Sequence, residues 1–369
     1  MSSRPFGSNR SFLARLHIDG ALLGAVLLTA VFGLVVLYSA SGQSADVVMK
    51  QGVRLVAGFI AMFALAQVPP ERLLRWAPGL YAIGMLLLGV VAIIGIGRGS
   101  QRWIDLGFMQ FQPSEIMKLA VPLMAAWYLR ARVLPPSLGS LAAGLLIIAA
   151  PAALIAEQPD LGTAVLVASA GVFVLFLAGT SWRVISVAGL CAVLAAPAGW
   201  YFMHDYQRGR ILTLLDPESD PLGAGYHTIQ GVIAVGSGGL LGKGWLNGTQ
   251  SHLEFIPERA TDFIFAVLSE EFGFVGVVAL IAAYALIVSR GLAIALNAQT
   301  IFGRLVAGSL ALTFFIYVFV NIGMVSGVLP VVGVPLPLIS YGGTSVVTLM
   351  AGFGMLMAIH THRRFIAGI

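Results

Sequence analysis

The chain has 369 residues, of which 58% are hydrophobic and 10% charged, and its 21 Lys and Arg outweigh 16 Asp and Glu for a net charge of +5. Soluble domains carry roughly 25% charge, so these few ions cannot coat a water-soluble globule, and a mean hydropathy of +0.93 places the chain in a membrane. Continuous apolar runs exclude the alternating pattern of a membrane β-barrel, the lone Cys191 excludes disulfide and thiolate-metal frameworks, and no nucleic-acid partner is expected.

Apolar stretches of spanning length fall near 18–40, 51–69, 77–97, 114–130, 139–156, 161–179, 184–203, 263–289, 303–326 and 342–362. The pattern predicts an all-α polytopic membrane protein, a single domain over 1–369 with about ten transmembrane helices. The first stretch is too long for the apolar core of a signal peptide and reads as a retained helix. Ten spans leave both termini on one side. Arg4, Arg10, Arg15, Arg72, Arg75, Arg130, Arg132, Arg183, Arg290, Arg304, Arg363 and Arg364 fall on that side, against Lys50, Arg54, Arg98 and Arg102 in the short loops opposite. Twelve against four is a positive-inside signal that predicts cytoplasmic termini in a bacterial inner membrane.

In chain order, the first chemistry-bearing motif is Pro113-Ser114-Glu115-Ile116-Met117-Lys118 at the start of the fourth span. Glu115 and Lys118 are three residues apart, so they share a helix face and can pair. Ionised groups within a span are costly and face a cavity or a partner. Asp160, in Gln158-Pro159-Asp160-Leu161-Gly162-Thr163, is a third member from the next loop on the same side. A structural ion-pair cluster and a functional one fit this pattern equally.

One connection is long. Residues 204–262 form a predicted periplasmic loop between the seventh and eighth spans and hold Asp205, Asp216, Glu218, Asp220, Glu254, Glu258 and Asp262. Connections of this length are functional or disordered, and Gly, aromatic and apolar residues argue against disorder. Its middle, Tyr226 to Leu241, is apolar enough to lie on or dip into the membrane surface. Ser237-Gly238-Gly239-Leu240-Leu241-Gly242-Lys243-Gly244 imitates a phosphate loop, but Ser237 replaces the first glycine and Gly244 the hydroxyl residue. His227 and His252 lack metal-ligand spacing.

Asp262 sits where this loop becomes the eighth span, with Glu258 and Arg259 close by. It is either a helix cap or a carboxylate held at the membrane face for chemistry. Glu270 lies two turns further along the helix, and Glu271 is on the far side. Finally, Asn321 to Ser345 carries Pro330, Pro335 and Pro337 with Gly333, Gly342 and Gly343. That many breakers predict non-helical backbone, tolerated at membrane depth only where protein or a wet cavity satisfies it.

These residues resemble the SEDS family (shape, elongation, division and sporulation). The resemblance rests on Asn321-Ile322-Gly323-Met324-Val325-Ser326-Gly327-Val328-Leu329-Pro330-Val331-Val332-Gly333 and Leu338-Ile339-Ser340-Tyr341-Gly342-Gly343-Thr344-Ser345, and covers the whole chain. His204-Asp205-Tyr206-Gln207-Arg208 and the stretch Leu215 to His227 are more similar to the side-wall elongation branch than to the division branch. The resemblance implies a peptidoglycan glycosyltransferase that polymerises lipid II, with a class B penicillin-binding protein (a transpeptidase) and other rod-complex membrane proteins as partners. It also implies that Asp262 is the essential carboxylate, that Glu115, Lys118 and Asp160 are the family's buried charged cluster, and that Ser340, Gly342 and Gly343 support the site.

The chemistry of that reaction gives these positions a purpose. A sugar 4-hydroxyl attacks the anomeric carbon of a second sugar and displaces undecaprenyl pyrophosphate with inversion. The hydroxyl needs a general base, and the anionic leaving group needs cations, for which Arg208, Arg210, Lys243, Arg259 and Lys118 are candidates. A divalent cation, Mg or Mn, would serve the same end, with Asp262 a possible ligand. A lipid II flippase is the competing expectation and a scaffold that only recruits the transpeptidase a third. The candidate residues crowd toward one face, which favours chemistry over transport.

Overall fold

Half of the α-helices begin where a short polar side chain satisfies the free N–H groups of a first turn. In the computed structural model, which describes residues 16–95, 102–105, 110–219, 225–249 and 258–362, this is true of Asp19, Ser44, Ser137, Asp160, Ser181 and Thr300. Arg4, Arg10, Arg15, Arg98, Asp220, His252, Glu254, Arg363 and Arg364 lie outside the described residues. The helices run α1 Gly20–Ala40, α2 Ala45–Ala66, α3 Pro70–Ile94, α4 Pro113–Leu129, α5 Leu138–Glu157, α6 Leu161–Leu177, α7 Trp182–Phe202, α8 Asp205–Leu215, α9 Tyr226–Ser237, α10 Ile264–Leu296, α11 Ile301–Val325 and α12 Thr344–Thr361. A two-residue antiparallel pair, β1 Ile104–Asp105 with β2 Gln110–Phe111, lies before α4.

Eight of these helices are long and apolar enough to cross a membrane. The ten expected spans correspond to α1–α7 and α10–α12, with α4 and α6 at 17 residues each. Seventeen residues rise about 25 Å, the short end of what a bilayer core requires. Three helices exceed the hydropathy-based expectation. The second span begins at Ala45 because Ser44 caps it and Asp46 pairs with Lys50 at 2.6 Å, so Lys50, Gln51 and Arg54 are helical. The third begins at Pro70, a residue suited to a first helical position. The eighth runs on to Leu296 and carries Arg290, which ion-pairs with Asp19 at 2.5 Å.

The core forms where α12 packs on α2, α10 on α11 and α1, and α6 on α5, α4 and α11. By contrast α7 buries none of its described residues, and Cys191 on it is exposed.

Within α10 the helix is broken at Gly273, whose backbone (φ 62°, ψ −162°) no side-chain-bearing residue adopts without strain. The groups freed by the break bond to the segment after α9. Lys243 and Gly244 N–H donate to the carbonyls of Glu270 and Glu271 (2.9 and 3.0 Å), and Phe274 and Val275 N–H donate to those of Gly239 and Leu240 (2.9 and 3.1 Å). The middle of the long loop thus packs its backbone into the break and satisfies the groups freed there, while the Leu240 and Leu241 side chains stay exposed. The phosphate-loop lookalike is the plug that fills this break. Lys243 ends on the fully buried Glu270 (2.7 Å), and Ser39 of α1 donates to Glu271.

Candidate functional site

Asp262 closes a tight turn, Glu258–Phe263, in which the Glu258 carbonyl accepts from the N–H groups of Thr261 and Phe263 at 3.0 and 3.2 Å. Its side chain caps nothing, since Phe263 is the N-cap of α10 and has no side-chain cap bond. The helix-cap reading is not realised, and the carboxylate is available for another role.

The end of α11 and the non-helical stretch after it grip this turn. Three successive carbonyls each accept a bond: Ala260 from Tyr341 N–H (2.8 Å) and Thr261 from the Ser340 hydroxyl (2.5 Å) in the stretch, and Asp262 from Asn321 Nδ2 (2.8 Å) on α11. Asn321, fully buried, also donates to the Val334 carbonyl at 2.7 Å. Gly333, at φ 73°, lies so close that a Cβ there would sit 3.4 Å from Asp262 Oδ2. The prolines and glycines read as helix breakers therefore build a backbone wall beside the carboxylate.

Asp262 is half-buried. Burial pushes its carboxyl up to about 6, the negative charge of Glu258 pushes the same way, and Arg210 opposes both. Arg210, on α8, is the expected cation that the fold brings to Asp262. Its own guanidinium is held below the usual range by burial and by Arg102, while Asp160 and Asp262 act in the opposite sense. A cavity of about 270 Å³ opens beside it between α8, α9 and the post-α11 stretch, lined by Tyr206, Arg210, Thr213, Thr228 and Pro330.

A second cluster lies deeper. Lys118 is bonded to Glu115 at 2.7 Å, with both side chains buried, and also to the Tyr317 hydroxyl. Asp160 forms no direct ion pair with Lys118 among the described residues. Its Oδ1 accepts from Thr163 N–H (3.1 Å) and its Oδ2 from Gln112 (2.9 Å), and its charge reaches both Tyr317 and Arg210. Asp160 stands between the two clusters and connects them.

Other expected residues go elsewhere. Arg208 donates to the Trp200 and Tyr201 carbonyls at 3.0 and 2.7 Å and fastens α8 to the end of α7. Arg259 points to the α1–α2 turn at Gly42. Lys243 is engaged with Glu270 and Thr249. None of the three cations is brought to Asp262: Arg208 is held by the nearby end of α7, Lys243 by Glu270 and Thr249, and Arg259 lies at the α1–α2 turn. Glu258 is exposed and bonds Thr261 at 2.7 Å. Gly342 N–H donates to Gln51 at 3.2 Å, and Gly343 opens α12. Tyr317, Gln112, Arg102 and Gln51 were not singled out by the sequence reading. Tyr317 has a recognisable signal, standing one turn before Asn321 on the same face of α11. Gln51 and Gln112 are polar residues in apolar surroundings, the signature of a buried hydrogen-bonding duty.

Among the described residues no three His, Cys, Asp or Glu side chains converge as a metal site would require. Asp262 is faced instead by one carboxylate and by the Arg210 guanidinium. These residues do not make a protein-built metal cage.

The FtsW/RodA/SpoVE family model, described as a cell cycle protein, matches residues 20–365. The chain is 55% identical over 362 residues to the peptidoglycan glycosyltransferase MrdB of Escherichia coli, covering 98% of each. It is 35% identical over 367 residues to stage V sporulation protein E of Bacillus subtilis, covering 94% of this chain and 98% of that one. Its fold matches a chain of a peptidoglycan synthase complex that coordinates polymerization and crosslinking (TM-score 0.81, 37% identity, 93% and 97% coverage). It also matches the rod shape determining protein RodA of Thermus thermophilus (TM-score 0.71, 31% identity, 93% and 96% coverage). With its polytopic bundle, its gripped Asp262 turn and its buried Glu115–Lys118 pair, this chain belongs to the FtsW/RodA/SpoVE family of multi-pass membrane proteins.

Proposed function

We propose that the protein is the peptidoglycan glycosyltransferase of cell elongation, polymerising lipid II at the periplasmic face of the bacterial inner membrane with both termini in the cytoplasm. The 55% identity to MrdB over nearly the whole of both chains supports the activity. The placement of one half-buried carboxylate beside one arginine carries the chemistry.

The acceptor 4-hydroxyl attacks the anomeric carbon, its proton passes to the Asp262 carboxylate, and the bond from that carbon to the pyrophosphate oxygen breaks with its electron pair leaving on the phosphate. A base whose pKa lies near the operating pH suits this transfer. Arg210 is placed to meet the growing negative charge. A divalent cation would arrive bound to the substrate's pyrophosphate and add to the same positive field. The wall of Gly333 and the post-α11 backbone holds the carboxylate in place. The partner is a single-span class B penicillin-binding protein that crosslinks the strands, consistent with the synthase-complex relative.

Incubation of purified protein with lipid II tests the reading. Wild type yields polymer, and Asp262→Asn, which keeps shape and removes the base, yields a 10²- to 10⁴-fold lower rate, the usual loss for a general base of about that effect. Near wild-type polymerisation by Asp262→Asn would overturn the assignment of the base. A flippase would give no polymer even as wild type.

A further inference from the structure

Gln51 of α2 is 1% exposed and far in sequence from Asp262. Its side-chain amide is used at both ends. Nε2 donates to the Ser340 carbonyl at 3.2 Å, and Oε1 accepts from Gly342 N–H at 3.2 Å. The residue between, Tyr341, lies under the Arg54 guanidinium (4.2 Å to the ring centroid), one turn along α2 from Gln51. The two bonds and the stacked cation fix Ser340-Tyr341-Gly342 to α2.

The bland reading is that Gln51 satisfies two backbone groups that would otherwise be stranded at membrane depth. The groups it satisfies, however, are not arbitrary. Ser340 donates its hydroxyl to the Thr261 carbonyl at 2.5 Å while accepting from Leu336 N–H at 2.7 Å, and Tyr341 N–H donates to the Ala260 carbonyl at 2.8 Å. Two of the three bonds that grip the Asp262 turn therefore originate from the segment that Gln51 holds. The third, from Asn321, comes from α11.

We infer that Gln51 is a positioning residue for the Asp262 carboxylate, acting through Ser340 and Tyr341 to set where the carboxylate stands against its substrate. The inference rests on Asp262 as the base. A displacement of 1 Å at a reacting group can cost about 10²-fold in rate, so a second-tier amide can govern turnover without touching substrate.

The test uses full-length protein with lipid II. Gln51→Met keeps length and volume but offers neither bond. Gln51→Glu keeps an acceptor for Gly342 N–H and loses the donor to Ser340. The expected result for Gln51→Met is a kcat lower by roughly 10- to 100-fold, with KM within about threefold. The acid limb of its pH–rate profile should move down toward the ordinary carboxylate range as the turn loosens and Asp262 gains solvent. Glu258 on the turn and Arg210 from α8 face the carboxylate and are unchanged, so that movement reports its burial. Gln51→Glu should fall between Gln51→Met and wild type. A purely structural role lowers thermal stability but leaves kcat per folded molecule and the acid limb at their wild-type values, and that result overturns the inference. If Gln51→Met does not fold, Gln51→Glu decides by the same readouts. An inactive Asp262→Asn beside a normal Gln51→Met sinks only the positioning role, whereas an active Asp262→Asn sinks the base and the positioning role together.

Discussion

The Lys118 ammonium lies 2.7 Å from Glu115 Oε1 and 5.3 Å from the centre of the Tyr317 ring, with the lysine and glutamate side chains 7% and 5% exposed. Removing one partner of such a pair strands a charge in low dielectric, at a cost of about 3–5 kcal/mol. Lys118→Ala and Glu115→Ala should each lower the thermal unfolding temperature in detergent, and the double variant should lose much less than their sum. Strict additivity in that cycle would mean the two charges act independently.

Activity should rise with pH through about 6, where Asp262 loses its proton, and level off above it. The effect on stability has the opposite sign. Because the folded carboxyl is raised above its ordinary value of 3.8, the folded state prefers the protonated form. That favourable contribution is complete below about pH 4 and is lost as pH rises through 6. Asp262→Asn, neutral at every pH, should therefore match wild type near pH 4 and exceed it by up to about 3 kcal/mol at pH 8. Equal stability of the two proteins at both pH values would count against a raised Asp262.

Gly273→Ala should be among the most damaging single methyl additions. A Cβ at Gly273 would collide with Gly242 N and lie 2.7 Å from the carbonyl carbon of Leu241, in backbone that already sits at φ 62°. Gly89→Ala in α3, where a Cβ meets nothing within 4 Å, should be tolerated. Detergent-solubilised yield and unfolding temperature compare the two directly.

The orientation predicts which surfaces an impermeant thiol reagent reaches. In a Cys191→Ser background, Ser219→Cys on the exposed end of the long loop should label in intact cells. Ala131→Cys, exposed in the α4–α5 turn on the opposite face, should label only after permeabilisation. The reverse pattern would invert the topology.

The spans were legible because a bilayer imposes length and hydropathy on local sequence. So was the Glu115–Lys118 pair, since helical spacing alone brings it together. The breakers between Asn321 and Ser345 were legible as a non-helical segment, which the structure confines to residues 326–343, but not as the wall that grips Asp262. That depends on carbonyl-by-carbonyl pairing with a turn some sixty residues earlier, such as Asn321 with Asp262. The cations were the least legible. Arg208, Lys243 and Arg259 matched Arg210 in type and loop position, yet their partners are the end of α7, the break in α10 and the α1–α2 turn. Helix starts were misplaced where polar first turns, such as Ala45–Gln51, are paid for by a cap and an ion pair that hydropathy does not see.

The part of α10 beyond the break, residues 274–296, is about 35 Å long and suffices by itself for an apolar slab about 30 Å thick. With that part across the slab, the Asp262 end, on the other side of the break, stands toward the headgroup layer, the height at which a polyprenyl carrier displays its phosphates. Substrate then arrives by lateral diffusion within a sheet, and encounter becomes a two-dimensional problem. Turnover below saturation should follow the mole fraction of substrate among the lipids, and diluting the suspension at constant lipid composition should leave the rate per enzyme unchanged.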